Sequence, residues 1–172
     1  MTTITAEEFK ERLRTKGKVS NVRVEELIRI TNLETNPITG SIRIINCEIG
    51  EILFAHITLP SVIFRECRIA KLALETVSNF DEIKINDCAV TLLYLRETSC
   101  AKLTLTTMEG STTSIEHGLE ATINNLQLKG TYDRIELLSF RNNLLRLIDF
   151  TCNTIEVNNS FLPELNFKNV TA

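Results

Sequence analysis

The sequence predicts an all-β fold, a right-handed parallel β-helix solenoid with about 20 residues per coil, preceded by one short capping α-helix. Three observations predict it. Apolar residues occur in pairs separated by one residue, and these pairs recur every five residues. Equivalent residues then recur 20 or 21 positions apart. A helix-start signature precedes the first repeat.

The five-residue repeat is clearest between residues 42 and 74. All 14 paired positions there are apolar, whereas only six of the 21 other positions from Arg43 to Thr76 are. The pairs are Ile42/Ile44, Cys47/Ile49, Ile52/Phe54, Ile57/Leu59, Val62/Phe64, Cys67/Ile69 and Leu72/Leu74. A period of five fits neither a 3.6-residue helix nor an alternating strand. It fits a square coil with two inward residues on each of four sides.

The repeat continues along the chain with two disturbances. It slips by one residue near Asn79 and blurs between Met108 and Tyr132, then returns and runs to the end. Like positions such as Cys47, Cys67 and Cys88 should stack as ladders, at about 4.8 Å per step. We expect six coils, forming a rod about 30 Å long.

An antiparallel sandwich with a strand every ten residues is the main alternative fold. Such a sandwich would need hairpin turns of the Asn-Gly or Asp-Gly type. Neither dipeptide occurs, and the chain has only six glycines.

A short amphipathic helix is predicted over about residues 6–15. Thr5 is the expected N-cap, and Glu8 three residues later completes a capping box. Phe9 lies on its apolar face, and Gly17 is a plausible stop. We expect this narrow apolar face to pack over another part of the protein.

The predicted domain organisation is a single domain over residues 1–172. It comprises an N-terminal capping helix (1–18), an irregular first coil (19–40) and β-helix coils (41–172). No comparable cap follows Ala172, which is at an inward position, so the last coil should expose core residues and a strand edge. We therefore expect a homodimer or partner contact at the C-terminal end.

Composition excludes several classes of protein. The net charge of −3 is too mild for a typical nucleic-acid binder and for a strongly acidic DNA mimic. No apolar run approaches the roughly 20 residues of a membrane helix, and no signal peptide is evident. The five cysteines are odd in number and lack CxxC spacing, which favours a reduced, cytoplasmic setting.

One predicted outer face carries six basic residues and no acidic one among the positions assigned to it. These residues are Arg43, Arg65, Lys84, Lys129, Arg146 and Lys168. The opposite face is mostly acidic. The functional hypothesis is a basic stripe that binds an acidic partner. The alternative is an ordinary solvated sheet surface, since Lys, Arg and Thr suit exposed strands.

The sequence predicts no catalytic residue, cofactor or metal. Dinucleotide, P-loop, zinc-protease and nucleophile-elbow motifs are all missing. All five cysteines fall on inward positions, where cysteine usually acts as a small hydrophobe. Three of them stack, which would suit a redox or metal role, but no histidine joins the ladder.

The paired positions, such as Cys67-Arg68-Ile69 and Leu72-Ala73-Leu74, resemble those of the pentapeptide-repeat family over about residues 41–172. The chain departs from the family pattern because its inward residues are often large and its middle positions are rarely Asp or Asn. The resemblance implies a quadrilateral β-helix. It also implies one possible activity, since some members mimic duplex DNA and bind topoisomerases.

Three functions remain. We predict a non-enzymatic protein-interaction or structural scaffold that presents polarised faces to an unknown protein partner. A DNA-mimic modulator of a topoisomerase or other nucleic-acid-binding protein is disfavoured, because 22 acidic residues face 19 basic ones. A carbohydrate-binding or carbohydrate-cleaving β-helix is disfavoured, because no clustered carboxylates are evident. We do not expect nucleic acid itself to be a ligand at this charge.

Overall fold

The predicted parallel β-helix is confirmed. The computed structural model describes residues 1–31, 40–58, 61–78 and 80–171. They form one helix, α1 (Ala6–Lys16), and thirteen strands. The strands are β1 (Thr2–Thr3), β2 (Lys18–Ser20), β3 (Val22–Thr31), β4 (Ile42–Ile45), β5 (Glu48–Ala55), β6 (Ser61–Arg65), β7 (Arg68–Glu75), β8 (Phe80–Arg96), β9 (Ser99–Thr107), β10 (Thr113–Leu119), β11 (Thr122–Leu138), β12 (Arg141–Asn158) and β13 (Leu165–Thr171).

Helix α1 begins and ends as the sequence predicts. The Thr5 hydroxyl accepts from the Glu8 N–H at 3.2 Å, and the Glu8 carboxylate accepts from the Thr5 N–H at 3.0 Å. This reciprocal capping box satisfies two N–H groups at the helix start. Gly17, at φ 61°, donates to the Leu13 carbonyl at 2.8 Å and closes the last turn. Phe9 and Leu13 are buried in the core cluster, so α1 covers the first coil.

The first side of the coil, here called face 1, stacks eight strands or parts of strands. They are β2, β4, β6, the start of β8, β9, and parts of β11, β12 and β13. The solenoid therefore has about eight turns rather than the six expected. Ile42 pairs with Val62, and Val62 pairs with Ile83, so the predicted slip from 20 to 21 residues is present. Asn79, where the slip was placed, lies outside the described residues.

Three further faces complete each turn. Face 2 carries the ladder of Cys47, Cys67 and Cys88, and face 3 carries Phe54, Leu74 and Leu95 in register. Strands β9, β11 and β12 each begin on face 4. All pairings among the described strands are parallel. The inward side chains of the four faces form one continuous core.

The first coil is more regular than an irregular segment over residues 19–40 would be. β2 pairs with β4, placing Val19 beside Ile44, and β3 pairs with β5, placing Val24 beside Ile49. The register shifts only between Val24 and Leu27, as in a β-bulge. Residues 32–39 lie outside the described residues.

Most of the described corners that follow face 1 or face 3 are left-handed. Among the described residues, twelve non-glycine residues have φ between 45° and 60°, and most are spaced about ten residues apart. They are Asn21, Asn46, His56, Glu66, Thr76, Asp87, Glu97, Glu120, Ser139, Asp149, Asn159 and Asn169. Several donate a backbone N–H to the neighbouring turn, for example Asn46 to the Arg65 carbonyl at 2.8 Å. These bonds tie the corners of successive turns together.

The central turn departs from the coil where the repeat blurs. Residues 108–112 form a turn in place of a face 2 strand. The buried Tyr132 ring lies here, stacked on Phe150 with 5.0 Å between ring centroids, and its hydroxyl donates to the Leu105 carbonyl at 3.0 Å. Gly130 (φ 109°) is required, because a Cβ there would lie 1.8 Å from Thr107 Oγ1.

Candidate interaction surfaces

The six residues of the predicted basic stripe all lie on face 1, in two adjacent columns. Arg43, Lys84 and Arg146 belong to one column, which runs through Ile63, Thr104 and Gln127. Arg65, Lys129 and Lys168 belong to the next column. The register thus brings together the positions that the five-residue repeat assigned to one face.

Acidic side chains neutralise half of the stripe. The ion pairs are Arg65 Nε to Glu66 Oε1 at 2.9 Å, Lys84 Nζ to Glu82 Oε2 at 2.7 Å, and Lys129 Nζ to Asp149 Oδ2 at 3.4 Å. Arg43, Arg146 and Lys168 make no ion pair within the described ranges. The face is therefore less basic than the repeat suggested.

Sequence reasoning missed the third column of face 1, which contains Glu82 and Lys102 in register. Glu82 contacts Lys84 on its own strand and Lys102 on the next, the latter at 3.0 Å. Burial acts to raise the pKa of Glu82, but the two ammonium groups outweigh it and hold the pKa below its usual value. Glu82 thus stays ionised and cancels charge on both sides.

The mostly acidic face opposite the basic stripe, which is face 3, also contains ion pairs between its own side chains. Arg134 Nη2 lies 3.1 Å from Glu156 Oε2 and 3.7 Å from Glu136 Oε1. Arg134 and Glu156 are both half-exposed, so the ion pair between them contributes little to stability. These ion pairs reduce the contrast in charge between face 1 and face 3.

The C-terminal end exposes large apolar residues, as the sequence predicts. Five of them stand at inward positions of the last turn, 38–57% exposed: Ile155, Val157, Leu165, Phe167 and Val170. Their register partners in the preceding turn are buried, as Leu147 is beneath Phe167. Phe161, an outward residue of face 4, is 63% exposed at the same end. We call these six residues the open end; Ala172 lies outside the described residues.

All five cysteines are buried and free. The Sγ atoms of Cys47, Cys67 and Cys88 each donate to the carbonyl two residues earlier, at 3.2–3.3 Å. The Cys67 N–H donates to Cys88 Sγ at 3.4 Å. The hydrogen bond to Cys67 and burial raise the pKa of Cys47 far above its usual value, whereas the hydrogen bond from Cys67 lowers the pKa of Cys88.

The middle thiol, Cys67, feels both neighbours. Hydrogen bonding with Cys47 lowers its pKa, but hydrogen bonding with Cys88 and burial outweigh that effect and raise the pKa to about 12. Among the described residues, no group of three or more His, Cys, Asp and Glu side chains converges to hold a metal ion. The described part of the chain also contains no helix long and apolar enough to cross a membrane.

Comparison of the chain with family models, with curated proteins and with solved structures gives no match. The arguments about function therefore depend on the solenoid, its charged faces and its open end.

Proposed function

We propose that the protein is a non-enzymatic interaction scaffold that assembles through its open end, and that its partner there is a second copy of the chain. The exposure of Phe167 and its neighbours at inward positions carries this proposal. Elsewhere in the solenoid the same positions are filled by buried core residues. An uncovered strand edge beside apolar side chains favours association with another chain.

The size of the open end suits a small dimer interface. A buried aromatic side chain accounts for about 150–250 Å², so the two phenylalanines and four aliphatic residues together expose on the order of 500 Å² per copy. Two copies facing each other would then bury about 1,000 Å², which is the lower range for a specific interface. Ordinary monomers also carry apolar patches of about 300–600 Å², so the placement of these residues at inward positions of the last turn, rather than their area alone, supports the proposal.

The shape of the open end also suits self-association. β13 covers residues 145–151 of β12, whereas Ile155 and Val157 have no strand stacked on them within the described residues. The end is therefore a step. A two-fold axis across it would seat the raised half of each step on the lower half of the other, which is an isologous contact.

Sedimentation equilibrium at micromolar to hundred-micromolar concentrations tests this proposal. The wild-type protein should be a dimer, and Phe167→Ser should be a monomer with an unchanged circular dichroism spectrum. Leu27→Ser is the matched control, because Leu27 is 51% exposed but lies in β3, far from the open end. A wild-type monomer across this range would show that the end is left open or covered by another molecule, and would overturn the proposal.

Face 1 is a second candidate surface, for an acidic protein segment. The observation in its favour is that Arg43, Arg146 and Lys168 make no ion pair in the described part of the chain. Retention on heparin, used as a polyanion probe, should fall in the Arg43→Glu/Arg146→Glu variant. A control with the same charge change on face 3, Arg29→Glu/Arg96→Glu, should elute at higher salt; equal elution would reduce face 1 to a solvated surface.

A further inference from the structure

The last turn of the solenoid forms a ramp that starts on face 3, passes through face 4 and face 1, and ends on face 2. At its end Val170 stacks on Phe150, whereas Val157 at its start has no strand stacked on it within the described residues. The end of the ramp therefore stands one strand spacing, about 4.8 Å, above its start. The midpoint of the ramp is the corner at Pro163 and Glu164, where face 4 meets face 1.

The backbone of the ramp directs N–H groups toward the open side. The carbonyls of Phe161 and Glu164 accept hydrogen bonds from the preceding turn, at 3.0 and 2.9 Å respectively, so both point back into the solenoid. In a trans peptide the C=O and the following N–H point in opposite directions. The N–H groups of Leu162 and Leu165 therefore point away from the solenoid, on the side where the described sheet has no further strand.

The inward positions of the ramp are symmetric about its midpoint. Each inward residue before the Pro163–Glu164 peptide has an inward counterpart the same number of residues after it, because every side of the coil carries two inward positions. The counterparts are Leu162 and Leu165, Ser160 and Phe167, and Val157 and Val170. A two-fold rotation about this corner therefore places inward residues of one copy over inward residues of another, and the low end of one ramp over the high end of the other.

We propose that two copies join by antiparallel pairing of their last turns about a two-fold axis at the Pro163–Glu164 corner. This arrangement rests on the self-association proposed above and assigns its register. The Leu162 N–H donates to the Leu165 carbonyl of the second copy and the Leu165 N–H to its Leu162 carbonyl, as in any antiparallel hydrogen-bonded pair. The sheet and the apolar core then continue from one solenoid into the other.

The shape of the ramp selects this axis over its nearest alternative. A two-fold axis through the middle of face 1 would also pair edge strands antiparallel. It would, however, set the low start of each ramp, at Val157, opposite that of the other copy and leave a gap about one strand spacing wide on face 3. The axis at the corner keeps the separation of the two ramps equal on all four faces.

Disulfide cross-linking through single introduced cysteines tests the register. In the proposed pairing the two Glu164 residues flank the axis, whereas the two Asn158 residues lie at opposite corners of the coil, more than about 10 Å apart. A disulfide needs Cα atoms within about 7 Å. Glu164→Cys should therefore form a covalent dimer under mild oxidation, and Asn158→Cys, which is also exposed at this end, should not. The wild type, whose five cysteines are buried, gives the background.

A mixture of two variants should give the converse result. Asn158 of one copy faces Asn169 of the second copy across the same axis. Chains carrying Asn158→Cys, mixed with chains carrying Asn169→Cys, should form a covalent heterodimer, although neither variant cross-links alone. This measurement leaves Glu164 in place, so it stands if Glu164→Cys fails to fold.

The like charges beside the axis provide a readout without cysteine. Glu164→Gln removes the repulsion between two exposed carboxylates and should lower the Kd of the dimer about two- to fivefold. Glu109→Gln, an exposed position in the central turn, is the matched control and should leave the Kd unchanged.

Sedimentation of the same samples under reducing conditions separates this arrangement from self-association itself. A wild-type monomer overturns both. A wild-type dimer in which Asn158→Cys cross-links alone, in which the mixed chains do not cross-link, or in which Glu164→Gln leaves the Kd unchanged overturns the antiparallel register while self-association stands.

Discussion

The two ends of the solenoid have similar apolar residues but different surroundings. At the N-terminal end, α1 lies over the first coil and leaves Phe9 0% and Leu13 2% exposed. At the open end, Phe167 is 57% and Val170 38% exposed. The residue types alone do not explain this contrast, since all four are apolar. A covering element decides whether the last layer of core is buried, and a turn without one presents an apolar surface and a strand edge.

Truncation of one phenylalanine at each end should give the largest difference between the ends. Phe9→Ala should lower the free energy of unfolding by about 3–5 kcal/mol, because it leaves a cavity under α1. At concentrations where the protein is a monomer, Phe167→Ala should change it by less than about 1 kcal/mol, because the ring is more than half exposed. Urea unfolding followed by circular dichroism measures both. Equal losses would contradict the view that Phe9 is covered and Phe167 is exposed.

At alkaline pH, Cys100, deep in the coil, and Cys152, near the open end, should contribute differently to the free energy of unfolding. Burial raises the pKa of Cys100 to about 12, against about 8.5 in an unfolded chain. Above pH 8.5 the unfolded thiol loses its proton while the folded one keeps it. The free energy of unfolding therefore falls as pH rises, by about 1.4 kcal/mol per unit for each such group.

Matched variants isolate the contribution of each cysteine. Burial also raises the pKa of Cys152, but Cys152 lies one turn from the open end, so its contribution should be smaller. Urea unfolding from pH 8.5 to pH 10.5 should show a flatter decline in Cys100→Ala than in Cys152→Ala. If both variants flatten the decline equally, the open end does not change the environment of Cys152.

The capping box should contribute a smaller, local effect at the covered end. Thr5→Ala removes the acceptor for the Glu8 N–H and should lower the free energy of unfolding by about 1 kcal/mol. Thr112→Ala, in the exposed central turn, is the control and should change it by less than about 0.5 kcal/mol. Thermal unfolding measures both, and an unchanged Thr5→Ala midpoint would mean that packing of Phe9 alone holds α1.

The sequence predicts the parts of the fold that burial dictates. Phe54, Leu74 and Leu95 are in register, which agrees with the predicted recurrence of equivalent residues every 20 or 21 positions, because inward apolar pairs define the coil. The left-handed corners were not predicted, because residues such as Glu66 and Thr76 occupy them without any turn signature. The resemblance to the pentapeptide-repeat family stays a prediction.

The candidate surfaces were predictable to a similar degree. The alternation of inward and outward residues placed the six basic residues on one face. It did not predict that acidic side chains pair with three of them. Lys129 pairs with Asp149, 20 residues away at a corner, and Lys84 pairs with Glu82 in an unassigned column. The net charge of a solenoid surface depends on side chains from neighbouring turns and columns. Counting only the basic residues of one column therefore overestimates the positive charge of that face.

The smallest expected effect on stability is at a corner in the middle of the rod, away from both ends. Thr76 has φ 51°, a conformation that costs a β-branched residue about 1–3 kcal/mol. Thr76→Gly removes that strain, while the greater freedom of glycine in the unfolded chain and the lost 3.0 Å hydrogen bond to Glu97 oppose the gain. We expect a net increase in the free energy of unfolding of about 0.5–1 kcal/mol.

Asn46→Gly is the matched control for that change. Asn46 has φ 50°, which asparagine tolerates, and its side-chain N–H donates to Asn21 Oδ1 at 2.7 Å. Glycine there relieves little strain and loses the bond, so urea unfolding should show no gain in stability.

A gain in stability in Thr76→Gly alone would mean that strained corners weaken the coil itself. Such a coil would depend more on what covers its ends, and the loss in Phe9→Ala should then shrink when combined with Thr76→Gly. An unchanged loss would make corner strain and end covering independent.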